Sequence, residues 1–122
     1  MKKVYLWGNR AGYKPASNSL MMRVISRPPL IEFGKKHPPA VIPLSDWLKK
    51  ISQATCNNLH ELKILFNTCD YIGNDRYVFN IAGNNYRLVV IAHFKRQAIY
   101  IRGVLTHAEY TAYNKKGSLV DL

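Results

Sequence analysis

Four side chains in the C-terminal half of this chain carry groups suited to chemistry on a phosphodiester. They are the guanidinium groups of Arg87 and Arg102, the imidazole of His107 and the carboxamide of Asn80. A guanidinium offers forked donors that match phosphate oxygens. An imidazole takes or gives a proton near neutral pH, and an amide can orient a bound group. Metal chemistry has no counterpart here. His37, His60, His93 and His107 are scattered and acids are scarce, so no metal or other cofactor is expected. Cys56 and Cys69 lack metal-ligand or redox spacing and read as buried, reduced thiols.

These groups act together only if the fold gathers them, and the hydrophobic periodicity indicates how. Residues 23–26 read as a short strand. A helix begins after Pro28-Pro29 and ends near His37-Pro38-Pro39. A second helix over about residues 40–55 shows Val41, Leu44, Trp47, Leu48 and Ile51 at spacings of three and four. A third over about residues 58–67 turns Leu59, Leu62, Leu65 and Phe66 inward. After Cys69 the period becomes two, with strands over residues 76–81, 86–94 and 98–105. Thr106 is a fair N-cap for a closing helix. The expected fold is α+β, with N-terminal helices packed on one face of a small antiparallel sheet and a short C-terminal helix.

Two-residue loops at Gly83-Asn84 and Arg96-Gln97 divide the strand side chains by face. One face carries Tyr77, Phe79, Ile81, Leu88, Val90, Ile99, Ile101, Gly103 and Leu105, without a charge, and is the face the helices should cover. The other is ordered in rows: Asn80 with Arg87 and Thr106, Val78 with Val89 and Val104, and Arg76 with Ile91 and Arg102. His107 follows at the edge of the first row. Such a face could form a phosphodiester cleft, with Tyr and Val surface for bases. Polar residues on an open sheet face are also commonly just solvated, and both readings stand. Arg102, in mid-strand between Ile101 and Gly103, is the least easily assigned to solvent. Lys35-Lys36, Lys49-Lys50 and Lys115-Lys116 read as solvated helix faces.

Composition points the same way. The chain has 122 residues, which suggests one domain, and a net charge of +11 from 18 basic and 7 acidic side chains. So basic a domain favours a polyanion such as nucleic acid, an anionic surface or an acidic protein. Residues 1–21 contain Lys2, Lys3, Arg10 and Lys14, no acid, and several Gly, Ser, Asn and Pro. They read as an N-terminal extension, either a flexible arm or the product of a misassigned start. Residues 22–122 form the expected domain and stay strongly basic without them. No apolar run approaches the ~18 residues of a membrane span, and the first residues make a poor secretion signal, so a cytoplasmic protein is expected.

The segment Val78-Phe79-Asn80-Ile81, Gly83-Asn84-Asn85-Tyr86-Arg87-Leu88, Tyr100-Ile101-Arg102 and Thr106-His107-Ala108-Glu109-Tyr110 resembles the signature region of HigB-type toxins in the RelE/ParE superfamily. Met22 to Ser26, His37-Pro38, Leu44-Ser45-Asp46-Trp47 and Leu62-Lys63 fit as well, so the resemblance spans about residues 22–114. It implies a compact fold with N-terminal helices against an antiparallel sheet. It also implies mRNA cleavage, often on the translating ribosome, and a cognate helix-turn-helix antitoxin of the HigA type. Residues 1–21 have no counterpart in the family, and Thr111 stands where an Asp often follows the Tyr.

Metal-free RNA cleavage uses the neighbouring 2′-hydroxyl as nucleophile. The protein must take a proton, stabilise the phosphorane and protonate the leaving oxygen. On the resemblance, His107 is the acid or base, though a structural bond at a helix start is its rival role. Arg87 and Arg102 would bind the scissile phosphate, Asn80 would orient substrate, and Arg76 would contact RNA. Lys63 and Tyr110 are further candidates for phosphate contact or proton transfer, and Tyr110 could equally pack the last helix. Glu109 could act as base or cap that helix. The superfamily also includes gyrase-directed relatives, so a non-catalytic toxin that binds nucleic acid or protein is the alternative. A decayed toxin that retains only antitoxin binding is a third reading.

Overall fold

The computed structural model describes residues 21–122. Residues 1–20, and so nearly all of the expected extension, lie outside the described residues. Strand β1 (Arg23–Ile25) leads to helix α1 (Pro28–Lys36). Pro28 and Pro29 sit in the first turn of α1, where backbone N–H groups have no helical acceptor to lose. A 3-10 turn (Pro38–Ala40) passes into α2 (Val41–Ser52), which takes Pro43 into its first turn for the same reason. Asn58 caps α3 (Leu59–Leu65), its side chain accepting from the Glu61 N–H. The chain continues through β2 (Asp70–Gly73), β3 (Arg76–Ile81), β4 (Tyr86–His93), β5 (Ala98–Thr106) and α4 (His107–Lys116) to a last 3-10 turn (Leu119–Asp121).

The five strands form one sheet in the order β1-β5-β4-β3-β2. The α+β class is as expected, but the sheet is mixed. β1 joins β5 in parallel, while the other three pairings are antiparallel. Three helices separate β1 from the meander, and a connection of that kind permits parallel pairing. Strand β2 was not expected. It is short, contains Asp70 and Gly73, and changes register between Tyr71 and Gly73, so it carries no period-two signal.

The uncharged face is the main core. Phe79, Leu88, Val90, Ile99 and Ile101 share one buried cluster with Leu30, Phe33, Leu44, Trp47 and Leu62 from the three helices. Trp47 and Phe79 meet edge to face at 5.3 Å, and Phe66 meets Phe79 in the same manner at 5.2 Å. Met22 is also buried there, and its N–H donates to Ala54 O.

The β3–β4 register is the expected one, with Asn80 opposite Arg87, Val78 opposite Val89 and Arg76 opposite Ile91. The β4–β5 register is not. His93 pairs with Ala98, so the hairpin loop holds four residues, Phe94 to Gln97, instead of two. Gln97 adopts φ +50° and is buried. Its amide nitrogen donates to Cys56 O (2.6 Å) and Phe94 O (2.7 Å), and its oxygen accepts from Cys56 N (3.2 Å). This bonding to the α2–α3 loop sets the length of the turn.

A second correction concerns β5. Val89 pairs with Gly103 and Val90 with Ile101, so Arg102 is the extra residue of a β-bulge. Past it the faces of β5 exchange. Val104 packs on the main core, where Gly103 and Leu105 were expected. Leu105 instead joins Val78, Val89 and Leu119 in a second cluster on the opposite face, flanked by Tyr110, Tyr113 and Leu122. Helix α4 and the C-terminal turn therefore cover the middle of the face that was expected to be an open cleft.

Candidate active site

The candidate residues fall in three places. The first is the β3–β4 turn against the start of α4. Arg87 Nη1 donates to Asn84 O (2.9 Å) and Tyr86 O (3.2 Å), and its guanidinium carbon lies 5.1 Å from the Tyr110 ring centroid. Arg87 is 8% exposed. The positive charge is kept in a partly enclosed position by carbonyl dipoles on one side and an aromatic face on the other. Asn80 Nδ2 donates to Asn84 Oδ1 (3.0 Å), so both Arg87 and Asn80 shape this turn through Asn84.

Helix α4 starts beside that turn. Thr106 is its N-cap, with Oγ1 accepting from Glu109 N (3.2 Å), while Glu109 Oε1 accepts from Thr106 N (2.8 Å). This capping box satisfies two otherwise unpaired backbone donors. One Glu109 carboxylate oxygen is thus engaged in holding the helix start. The His107 N–H donates to Asn85 O (3.1 Å), which fastens α4 to the same turn. The His107 imidazole itself is exposed and makes no hydrogen bond among the described residues. On the main-core side of the turn, His37 stacks on Phe33 at 4.4 Å and lies 5.8 Å from the Tyr86 ring.

The second place lies farther down the sheet. Arg102 Nε and Arg76 Nη2 both donate to the main-chain oxygen of Leu122, at 2.9 and 2.6 Å. Arg76 Nη1 also donates to Asn74 O (3.0 Å). Arg102 precedes Thr106 by four residues, about 13 Å of strand. The expected rows Arg76–Ile91–Arg102 and Asn80–Arg87–Thr106 are both broken, the first by the four-residue loop alone and the second by that loop together with the bulge. Arg87 pairs with Leu105 and Ile91 with Tyr100.

Lys63 lies in a third place. It bonds Asp70 Oδ1 (3.1 Å) and Cys69 O (3.0 Å) and ties α3 to β2. The structure therefore brings His107, Arg87, Asn80, Glu109 and Tyr110 around one turn, sets Arg76 and Arg102 apart from them, and separates Lys63 from both. Sequence reasoning read Asn84 only as a turn residue and gave Leu122 no role. The Gly83-Asn84-Asn85 motif was the available signal for the first, and nothing in the local pattern signals the second.

Among the described residues no group of three or more His, Cys, Asp or Glu side chains is placed to hold a metal ion. No helix there is long and apolar enough to cross a membrane.

Comparison with known proteins identifies relatives of the chain. A protein from Escherichia coli described as mRNA interferase toxin HigB is 33% identical over 92 residues, which cover 73% of this chain and 88% of that protein. A Shigella flexneri protein described as mRNA interferase HigB matches to the same extent. One from another Escherichia coli strain, with that same description, is 26% identical over 91 residues, again 73% of this chain and 88% of its own length. Residues 40–113, more than half of the chain, match the family described as HigB_toxin, RelE-like toxic component of a toxin-antitoxin system, and the chain belongs to that family.

Proposed function

We propose that this protein is an endoribonuclease toxin that cleaves mRNA by metal-independent attack of the 2′-hydroxyl on the adjacent phosphate. The observation that carries the reading is the state of His107. It is an exposed imidazole without a hydrogen-bond partner among the described residues, set where Arg87, Glu109, Asn80 and Thr106 are all engaged in structure. A proton-transfer group must be free to meet its substrate, whereas the groups that hold it must not be. The names of the relatives support the choice of mRNA as substrate.

His107 exchanges the proton of the attacking 2′-hydroxyl or of the leaving 5′-oxygen. Arg87 supplies fixed positive charge to the phosphate as the phosphorane forms, and the Tyr110 ring, 5.1 Å from its guanidinium carbon, holds that charge in place. The first turn of α4 adds its dipole, which favours an anion at that end. Arg102 and Arg76, about 13 Å of strand away, contact a flanking phosphate of the RNA and not the scissile one. Asn80 keeps the turn in the shape that receives the substrate.

The partner that restrains the toxin is a helix-turn-helix antitoxin of the HigA type. Its docking surface is acidic, given a toxin net charge of +11. Cleavage takes place during translation in the cytoplasm. Primer extension on mRNA after brief induction tests the reading. Cuts that appear with wild type and vanish with folded His107→Gln are the expected result. Growth arrest without cuts would move the protein to the gyrase-directed or other non-catalytic class.

A further inference from the structure

At the β3–β4 turn to which His107 is fastened, a groove of about 450 Å³ opens beside α3, and His107 is not among its lining residues. The geometry points to it as a nucleotide subsite of the toxin, which takes one base of single-stranded RNA adjacent to the cleaved bond. This rests on the reading of the chain as an RNA-cleaving toxin.

The lining has the parts that such a ligand requires. Ile64 is 70% exposed, the most open of the three exposed large apolar side chains among the described residues. Together with Leu65 it supplies an apolar surface for the flat face of a base. Asn67 is exposed and its amide has no hydrogen-bond partner among the described residues, so it can both donate to and accept from a base edge. Asn80 gives its NH2 to Asn84, and its Oδ1 has no partner among the described residues. Thr68 Oγ1 accepts from Asn80 N at 3.4 Å and retains its own proton.

Charge is present too. Lys50 Nζ donates to Leu65 O (2.6 Å) and stands 5.0 Å from the Phe66 ring centroid, which pins the ammonium at the rim. Two of its three donors remain for a phosphate oxygen. Among the described residues no acidic side chain lines the groove. An apolar wall, free amide and hydroxyl groups, and a cation without an acid suit a nucleotide better than an apolar peptide.

Position connects the groove to the chemistry. Gly83 belongs to both the groove and the turn, Asn80 lines the groove from β3 and bonds Asn84 of the turn, and His107 is fastened to that turn through Asn85 O. Gly83 sits at φ +68° with nothing within 4 Å of where a Cβ would lie, so the passage over the turn is unobstructed. An RNA strand with its scissile phosphate at His107 crosses the turn and sets the next base in the groove.

The test uses the full chain and two variants, Asn67→Ala and Ile64→Asp, each checked for an unchanged melting temperature. Binding of a 2′-O-methylated single-stranded RNA decamer, which cannot be cut, is read by fluorescence anisotropy. Cut-site sequences are read separately by primer extension. Ile64→Asp, which adds a like charge to phosphate and removes apolar surface, weakens binding about tenfold. Asn67→Ala flattens the base preference at the position next to the cut while cleavage continues. Variants that bind the decamer as wild type does and cut the same sites would overturn the subsite, as would a wild type that does not bind it. Weakened binding by the variants with no cleavage by any protein would keep the groove as an RNA-binding site and reject the nuclease reading instead.

Discussion

Arg102 and Arg76 donate to the same atom, the main-chain oxygen of Leu122, from two strands with β4 between them. The bulge on β5 makes this possible, because it frees Arg102 from a cross-strand partner. Two guanidinium groups on one oxygen hold the C-terminal turn against the sheet and keep Leu119 in the second core.

The two arginines differ in enclosure, and the difference predicts their stability effects. Arg76 is partly buried, its Nε is enclosed without an acceptor, and it makes two bonds to main-chain oxygens. Arg76→Ala should destabilise the protein by about 1–3 kcal/mol, and Arg102→Ala, on an exposed side chain, by about 1 kcal/mol or less. Because either donor can hold Leu122 alone, the double variant should lose more than the sum of the two. Urea denaturation of the three proteins measures this. Strict additivity would mean that the shared oxygen does not couple them.

His107→Gln should lower RNA cleavage by ~10²–10⁴-fold, the usual worth of a positioned acid or base. Its melting temperature should stay within error of wild type, since the imidazole is exposed and its backbone N–H still reaches Asn85 O. Lys115→Ala, in the last turn of α4, should change neither quantity by much. Full cleavage by folded His107→Gln would move the proton transfer to Glu109 or Tyr110.

Gln97→Ala removes three hydrogen bonds in a buried place, two of which join the β4–β5 loop to Cys56. Orphaned main-chain groups and the lost side chain together should cost about 2–4 kcal/mol. The change should appear as a lower denaturation midpoint with the same slope. Gln97→Glu offers a check. It keeps the acceptor but has no NH2 to donate to Cys56 O, so it should be no more stable than the alanine variant.

Both cysteines are buried and free. Burial is the main cause that raises both thiols. Cys69, with Asp70 beside it, is pushed up to about 12, and Cys56 rises with Glu61 as a lesser cause. An acid whose folded pKa lies above its unfolded value contributes stability that is fully present below the unfolded value and is lost as pH rises through the folded one. Stability should therefore decline from about pH 9, the ordinary thiol value here, towards pH 12. Cys69→Ala should flatten that part of the profile. Native protein at pH 8 should react with a thiol reagent only slowly. Rapid labelling of both thiols under native conditions would contradict their burial.

The helices, the uncharged sheet face and the core were legible along the chain because each depends on neighbours within a few residues. Trp47 faces inward since Leu44 and Ile51 share its stripe, and Phe79 since Tyr77 and Ile81 alternate with it. The proline-led start of α1 and the capping box at Thr106 and Glu109 are local as well. The four-residue loop before β5 was not legible, because it depends on Gln97 bonding to Cys56, 41 residues earlier. The Arg102 bulge was not legible either. Which face a side chain takes changes with a single inserted residue, and whether one is inserted depends on the packing of Leu105 and Val104 on opposite sides of the sheet. The site followed the same division. Arg87, Asn80 and His107 could be named as chemistry from their types and strand positions. That Arg87 and Asn80 meet at Asn84 depends on how their side chains fold over the β3–β4 turn, and that Arg76 and Arg102 close on Leu122 depends on the C-terminal turn folding back across the sheet.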